Sequence, residues 1–177
     1  MTEFETGKAH VPRVHIVGRK NAGKTTLVCE LVRELCRQGI RVATVKHTHH
    51  AHELDTPGKD SHQHREAGAA GVGILSPKMK AAFVPCDRYS ASTDRYAEFD
   101  VMFSDCELII VEGDLNSSQA KVEVWRKIVG EPPYAANDAS IAAVITDDDV
   151  SVSTECIPRS DIESISRRIF ELAQSAT

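Results

Sequence analysis

The sequence has no excess of positive charge, no closely paired cysteines and no long apolar run. Its 26 acidic residues outnumber its 21 basic ones, giving a net charge of −5, which argues against a protein that binds nucleic acid by neutralising phosphates. The five cysteines form no C-x-x-C pair, as is typical of reduced thiols rather than of a disulfide framework. Neither a signal-peptide segment nor a membrane-span candidate is visible. We therefore expect a cytoplasmic protein that binds neither nucleic acid nor a membrane.

Internal repeats and low-complexity segments are also missing, and short apolar runs alternate with amphipathic segments. Runs at 14–17, 108–111 and 141–145 indicate buried strands, while 26–38 has apolar residues at helical spacing. A capping box at Ser160–Glu163 predicts the start of a final helix. The alternation predicts an α/β fold with a mostly parallel sheet flanked by helices. We predict a flexible tail over residues 1–11 and a single domain over 12–177.

Residues Gly18–Thr25 read G-R-K-N-A-G-K-T, which matches the phosphate-loop pattern G-x-x-x-x-G-K-[ST] between a predicted strand and a predicted helix. The glycines let successive N–H groups point at an anion, and the helix start adds partial positive charge. Lys24 would reach the β- and γ-phosphates, and Thr25 would offer its hydroxyl to Mg²⁺. The pattern predicts a nucleoside triphosphate site in a domain of the phosphate-loop NTPase type.

An acidic residue, Glu112, follows the apolar run 108–111 and precedes Gly113. In parallel sheets the ligand lies beyond the carboxyl ends of the strands. A carboxylate there, beside a phosphate loop, is expected to hold Mg²⁺ through one of its waters. The alternative is a solvated acid at a strand end.

The stretch 46–65 holds six of the eight histidines, namely His47, His49, His50, His52, His62 and His64. Such imidazoles could ligate Zn²⁺ or Ni²⁺, but their spacing fits no compact zinc template. A mobile switch over the γ-phosphate or over a second anionic substrate is the favoured interpretation, with Gly58 as its hinge. Asp60 would then touch Mg²⁺ or orient the attacking water.

Several segments together resemble one known family. They are the phosphate loop, V-K-H-T-H-H at 45–50, D-T-P-G-K-D-S at 55–61, R-E-A-G-A at 65–69 and L-I-I-V-E-G at 108–113. In this order they closely resemble the molybdopterin-guanine dinucleotide biosynthesis protein B (MobB) family over about residues 12–150. The resemblance implies a GTP-binding protein with weak GTPase activity, usually a homodimer. It also implies a partner, the guanylyltransferase MobA, which attaches GMP to molybdopterin, and contact with molybdopterin or its dinucleotide as a further prospect.

The resemblance also implies roles for individual residues. The triphosphate would be held by Gly18, Asn21, Ala22, Gly23, Lys24, Thr25 and Thr26. Mg²⁺ would be bound by Thr25, Glu112 and Asp60, and the residues assigned to catalysis are Lys24 and Asp60. Within the loop, Arg19–Ala22 is more basic than the small serine- and glycine-rich version common in relatives.

Recognition of the base is assigned to the residues that follow the apolar run 141–145. A carboxylate that accepts from N1 and N2 of guanine would select GTP, and Thr146 with Asp147 resembles the family's version of such a reader. The alternative is an acidic turn of three solvated aspartates, Asp147–Asp149. Asn137 and Asp138 are lesser candidates for the same role.

We expect slow hydrolysis, because the sequence offers no clear arginine finger. Two other function classes share the same loop. One is a small-molecule kinase with Asp60 as base, and the other is a metal-delivery GTPase of the nickel-insertion type that stores metal in the histidine stretch.

Overall fold

The computed structural model of the protein describes residues 10–49, 53–86 and 94–175. The chain forms two compact units, one made of Met1–Thr48 with Ala97–Thr177 and the other of His49–Tyr96; we call them the larger and the smaller unit. Residues 1–9 of the predicted tail lie outside the described residues, and Val11, which that tail includes, is buried. That residues 12–177 act as a single domain stays a prediction.

The predicted strands and helices are present with shifted ends. In chain order the strands are β1 (Arg13–Val17), β2 (Val42–Lys46), β3 (Val72–Leu75), β4 (Lys80–Phe83), β5 (Leu108–Glu112), β6 (Lys121–Val124), β7 (Ile141–Ile145) and β8 (Glu155–Ile157). The helices are α1 (Lys24–Arg37), α2 (Asp60–Glu66), α3 (Ala97–Met102) and α4 (Ile162–Ser175), with 3₁₀ turns at Lys127–Val129 and Tyr134–Ala136. Within the described ranges, no helix is both long enough and apolar enough to cross a bilayer.

The larger unit is built on a six-stranded sheet in the order β2-β5-β1-β6-β7-β8, in which all neighbours run parallel. Because the strands are parallel, their carboxyl ends share one edge, and the loops that follow β1, β2, β5 and β7 emerge there together. The predicted fold class, an α/β fold with a mostly parallel sheet flanked by helices, is confirmed.

The main core of the larger unit lies between the sheet and the helices α1 and α4. Apolar residues at helical spacing on α1 (Leu27, Leu31 and Leu35) and on α4 (Ile165 and Ile169) are fully or almost fully buried against β1, β5 and β6. A smaller apolar cluster contains Val17, Trp125, Ala135, Ile141 and Val144. Burial on this scale explains why β5 and β7 are apolar over 108–111 and 141–145 without alternation. The central strands β1 and β6 instead carry buried polar residues, namely Arg13, His15, Lys121 and Glu123.

The predicted cap of the last helix is wrong by one residue. Helix α4 begins at Ile162, and the Asp161 carboxylate accepts a hydrogen bond of 3.0 Å from the backbone N–H of Ser164. Asp161 therefore caps the helix. Ser160, the expected cap, instead donates its N–H and its hydroxyl to the Asp147 carboxylate, both at 3.1 Å.

The smaller unit contains α2 and an antiparallel hairpin. Strands β3 and β4 pair from Val72 with Phe83 to Leu75 with Lys80. A turn at 76–79 closes the hairpin through a hydrogen bond of 2.9 Å from the Ser76 N–H to the Met79 carbonyl oxygen. Helix α2 begins at Asp60 and ends at Glu66, because Gly68 adopts a left-handed φ of +98°.

Candidate nucleotide-binding site

The loop between β1 and α1 is a concave backbone turn that depends on glycine at two positions. Gly18 has a φ of +139°, and an added Cβ there would collide with the carbonyl oxygen of Val124. Gly23 has a φ of +99° and precedes α1 with no side-chain cap bond on the first amides. Those N–H groups therefore face outward from the helix start, as an anion requires.

The remaining loop residues fill in this turn. Asn21 is exposed and adopts a φ of +63°, a left-handed conformation that asparagine tolerates better than most residues. Ala22 is buried, with 1% exposed, and its N–H donates to the Arg19 carbonyl at 3.3 Å. Thr26 is exposed in the first turn of α1. The predicted phosphate-loop residues are thus all gathered at one place.

Lys24, the loop lysine, folds back onto the loop that precedes α1. Its ammonium donates to the carbonyl oxygens of Gly18 and Arg19, both at 2.8 Å. Partial burial lowers the pKa of Lys24, and the nearby charge of Glu112 opposes that shift. The lysine therefore holds two carbonyl acceptors that the oxygens of a phosphate group could replace.

Thr25 and Glu112, the two predicted magnesium determinants of this unit, are in direct contact. The Thr25 hydroxyl donates to Glu112 Oε1 at 2.8 Å. Lys46, which pairs with Glu112 in the β2–β5 register, places its ammonium 3.9 Å from the same oxygen. A hydroxyl and a carboxylate oxygen next to a phosphate loop are a donor set that suits Mg²⁺, which prefers oxygen ligands and few carboxylates.

The turn after Glu112 is supported by a buried histidine that sequence reasoning missed. Gly113 and Asp114 have φ values of +102° and +63°. The ring of His15, in β1, forms hydrogen bonds with the Gly113 carbonyl oxygen (3.2 Å) and the Ser117 hydroxyl (3.0 Å). Burial lowers the pKa of His15 to about 4, so the ring is neutral at physiological pH. Its only signal in the sequence is a single polar residue inside an apolar run.

The acidic turn after β7 is more structured than three solvated aspartates would be. Besides the two hydrogen bonds from Ser160 to Asp147, the Asp148 carboxylate accepts the Lys127 N–H at 2.8 Å. The Asp148 N–H in turn donates to the buried Thr146 hydroxyl at 3.0 Å. Asp147 remains exposed. Its carboxylate is therefore oriented at the carboxyl edge of the sheet, while its role in reading guanine stays a prediction.

The lesser candidates for base recognition are engaged locally. The Asp138 carboxylate accepts the Ser140 N–H and hydroxyl at 2.9 and 2.5 Å, and the pKa of Asp138 is lowered by these bonds. Asn137 donates its N–H to the Tyr134 carbonyl at 2.9 Å. Asp138 thus closes its own turn, which favours Asp147 as the reader.

Asp60 and three of the six described histidines, namely His49, His62 and His64, belong to the smaller unit. Asp60 is exposed at the first position of α2, and its proposed contact with Mg²⁺ or water stays a prediction. His62 lies 3.7 Å from Glu53 and 3.5 Å from Glu66. His50 and His52 lie outside the described residues. Among the described residues of the smaller unit, no three metal-binding side chains approach one another closely enough to share an ion.

Comparison with known proteins gives a consistent result. The family model of molybdopterin guanine dinucleotide synthesis protein B (MobB) matches residues 13–147. The chain is 31% identical over 176 residues to the molybdopterin-guanine dinucleotide biosynthesis adapter protein of Escherichia coli strain K12, covering 95% of this chain and 97% of that protein. It is 35% identical over 123 residues to the protein of the same name from Haemophilus influenzae, covering 69% of this chain and 67% of that protein.

Solved structures share the fold. A crystal structure of molybdopterin-guanine biosynthesis protein B is 28% identical and superposes with a TM-score of 0.65, covering 92% of this chain and 99% of that chain. The crystal structure of Bacillus subtilis MobB has a TM-score of 0.64 at 20% identity, covering 89% of this chain and 98% of that chain. At that identity the second likeness bears on the fold alone.

Proposed function

The chain belongs to the family of molybdopterin guanine dinucleotide synthesis protein B (MobB), and from that membership we propose that it is a GTP-binding adapter with weak GTPase activity in molybdopterin guanine dinucleotide biosynthesis. The observation that carries the proposal is the assembled phosphate site. The phosphate loop, Lys24 and the Thr25–Glu112 pair are in contact at the carboxyl edge of the parallel sheet. The family match spans all of these residues.

In the proposed complex each group has one task. The loop amides and the start of α1 bind the phosphates, and Lys24 exchanges its two carbonyl partners for phosphate oxygens. Thr25 and Glu112 would hold Mg²⁺ through their side-chain oxygens, and the ion would supply positive charge against the phosphates. Asp147, oriented by Ser160, accepts from N1 and N2 of guanine, with Thr146 supporting the turn behind it.

Hydrolysis is proposed to be slow, on the order of 10⁻⁴ to 10⁻² per second, as in enzymes of this architecture without a partner that stabilises the transition state. Asp60 would orient the attacking water, and Lys24 would stabilise charge on the phosphates. A slow rate suits an adapter whose nucleotide state matters to its partner. That partner is proposed to be the guanylyltransferase MobA, with molybdopterin or its dinucleotide as the molecule that passes between them.

Homodimer formation is part of the proposal, and the hairpin of the smaller unit supports it. Leu75 is 78% exposed and Met79 is 72% exposed, and Ile74 and Val84 are exposed as well. An isolated two-stranded hairpin is marginally stable in water, and the unpaired N–H and C=O groups at its edges can pair with a further strand. We propose that a second copy of this chain covers the apolar residues of this hairpin.

The central experiment is the affinity for GTP and for ATP, measured alone and with MobA and molybdopterin. We expect a preference for GTP that strengthens with the partners, and no triphosphate binding by Lys24→Ala, whose fold should remain intact. Equal affinities for GTP and ATP, or unaltered binding by Lys24→Ala, would contradict the proposal. A phosphorylated small molecule as product would instead indicate a kinase. Stoichiometric Ni²⁺ retained after dialysis would indicate metal delivery.

A further inference from the structure

Arg19, the second residue of the phosphate loop, has a side chain that is tied to a distant segment. Its guanidinium pairs with the Glu131 carboxylate at 2.5 Å, and its Nε–H donates to the Pro132 carbonyl oxygen at 3.3 Å. The same group lies 4.4 Å from the centre of the Tyr134 ring, within range of a cation–π interaction. Three contacts of different kinds thus hold one side chain, of which only 24% is exposed.

The segment that receives Arg19 is itself anchored to the sheet. The backbone N–H groups of Tyr134 and Ala135 donate to the two carboxylate oxygens of Glu123, both at 2.9 Å. Glu123 lies in β6 and is completely buried. The indole N–H of Trp125 donates to the Glu131 carbonyl oxygen at 2.8 Å. These three hydrogen bonds fix segment 131–135 against the sheet.

The backbone of Arg19 belongs to the phosphate site. Its carbonyl oxygen accepts one of the two hydrogen bonds from Lys24 and also the hydrogen bond from the Ala22 N–H. The side chain of Arg19 and its main chain therefore connect two structures, the phosphate loop on one side and segment 131–135 on the other.

We propose that Arg19 is a positioning residue that braces the phosphate loop against segment 131–135 and so keeps the loop in its phosphate-binding shape. Its guanidinium is occupied by Glu131, Pro132 and Tyr134 and acts on the ligand only through the loop backbone. This inference rests on the proposed function, since it concerns nucleotide binding at the same loop.

A brace and a direct phosphate ligand have different consequences. A brace shapes the amides that bind the β-phosphate, so its loss weakens GDP and GTP to the same extent. A direct contact with the γ-phosphate would affect GTP alone. Lysine keeps the charge of arginine but cannot reproduce the planar fork or its stacking on an aromatic ring. Arg19→Lys therefore resembles Arg19→Ala if the residue is a brace, and resembles the wild type if only its charge matters.

The experiment measures GDP and GTP affinities of the full chain and of Arg19→Ala, Arg19→Lys, Tyr134→Leu and the double variant Arg19→Ala/Tyr134→Leu. The single tryptophan, Trp125, reports on the segment through its fluorescence. We expect each single variant to lose about three- to tenfold in affinity for both nucleotides, from the size of cation–π and exposed ion-pair energies. The double variant should lose no more than Arg19→Ala, because both changes break one connection.

Matched controls separate the possible failures. Arg33→Ala, which removes an exposed arginine from α1, should bind both nucleotides like the wild type. The bracing role would be overturned by any of three results. These are variants that lose affinity for GTP but not for GDP, a Tyr134→Leu variant that binds both nucleotides like the wild type, and an Arg19→Lys variant with wild-type affinity. If Lys24→Ala bound GDP and GTP like the wild type, the assignment of the phosphate site itself would be wrong, independently of the role of Arg19.

Discussion

The Thr25 hydroxyl donates a hydrogen bond of 2.8 Å to the Glu112 carboxylate, so the first turn of α1 and the end of β5 are joined across 87 residues of sequence. In the presence of Mg²⁺ and a triphosphate, the same two oxygens are expected to face the metal rather than each other.

Thr25→Val is therefore expected to weaken binding of Mg²⁺–GTP by about ten- to hundredfold, because it removes a hydroxyl ligand while keeping the shape of the side chain. With EDTA present, wild type and variant should bind GTP equally. Titration of a fluorescent GTP analogue with and without Mg²⁺ checks this. Thr25→Ser keeps the hydroxyl and serves as the control. A Thr25→Val variant with wild-type affinity in Mg²⁺ would show that the hydroxyl is not a metal ligand.

Asp147→Asn tests the proposed recognition of guanine. An asparagine amide can donate to the C2 carbonyl of xanthine but cannot accept both N–H donors of guanine, so the preferred nucleotide should change from GTP to XTP. We expect GTP affinity to fall by about hundredfold. Competition between the two nucleotides measures the change, with the exposed neighbour Asp149→Asn as control. Retention of the GTP preference by Asp147→Asn would remove Asp147 from the base site.

His15 predicts a loss of stability on mild acidification. Burial lowers the pKa of His15 from 6.5, the value of a histidine in an unfolded chain, to about 4 in the folded protein. Between these two pH values the unfolded chain binds more protons than the folded one. The free energy of unfolding therefore falls as the pH decreases. From pH 7.5 to pH 5 this group accounts for about 2 kcal/mol. His15→Asn should be less stable overall but should lose about 2 kcal/mol less over that range.

Urea unfolding at the two pH values measures this difference. His64→Gln, which removes an exposed histidine from α2, is the matched control and should keep the wild-type pH dependence. If His15→Asn lost as much stability as the wild type, protonation of His15 would not be the cause.

Leu75→Glu tests the proposed dimer. If the second copy covers position 75, the introduced carboxylate would be buried without a partner. The dimer dissociation constant should therefore rise by at least about tenfold. Sedimentation equilibrium over a concentration series gives the dissociation constant. Lys78→Glu places the same charge in the neighbouring turn, where Lys78 is exposed, and should matter less. A wild-type chain that stays monomeric at high concentration would disprove the homodimer.

The features that the sequence predicted well are those encoded by neighbouring residues. The phosphate loop was predicted because β1, the glycines, Lys24 and α1 follow one another directly. The position of Glu112 beside the phosphate loop was predicted because an acid at the end of an apolar strand marks the carboxyl edge of a parallel sheet, and its role at Mg²⁺ stays a prediction. Strand β8 was missed because it has only three residues, and Glu155 and Cys156 are exposed at the edge of the sheet.

The α/β class, the phosphate loop with its flanking strand and helix, and the family were determined by the sequence by itself, because local periodicity and contiguous motifs carry that information. Only the tertiary structure decided that His15 supports the Gly113 turn, that Ser160 orients Asp147 instead of capping α4, and that Arg19 is held by residues 131–134. These partners are 98, 13 and more than 110 residues apart in sequence. Hydrogen bonds and ion pairs of this kind depend on which strands become neighbours in the folded sheet, and no pattern within a short window specifies that.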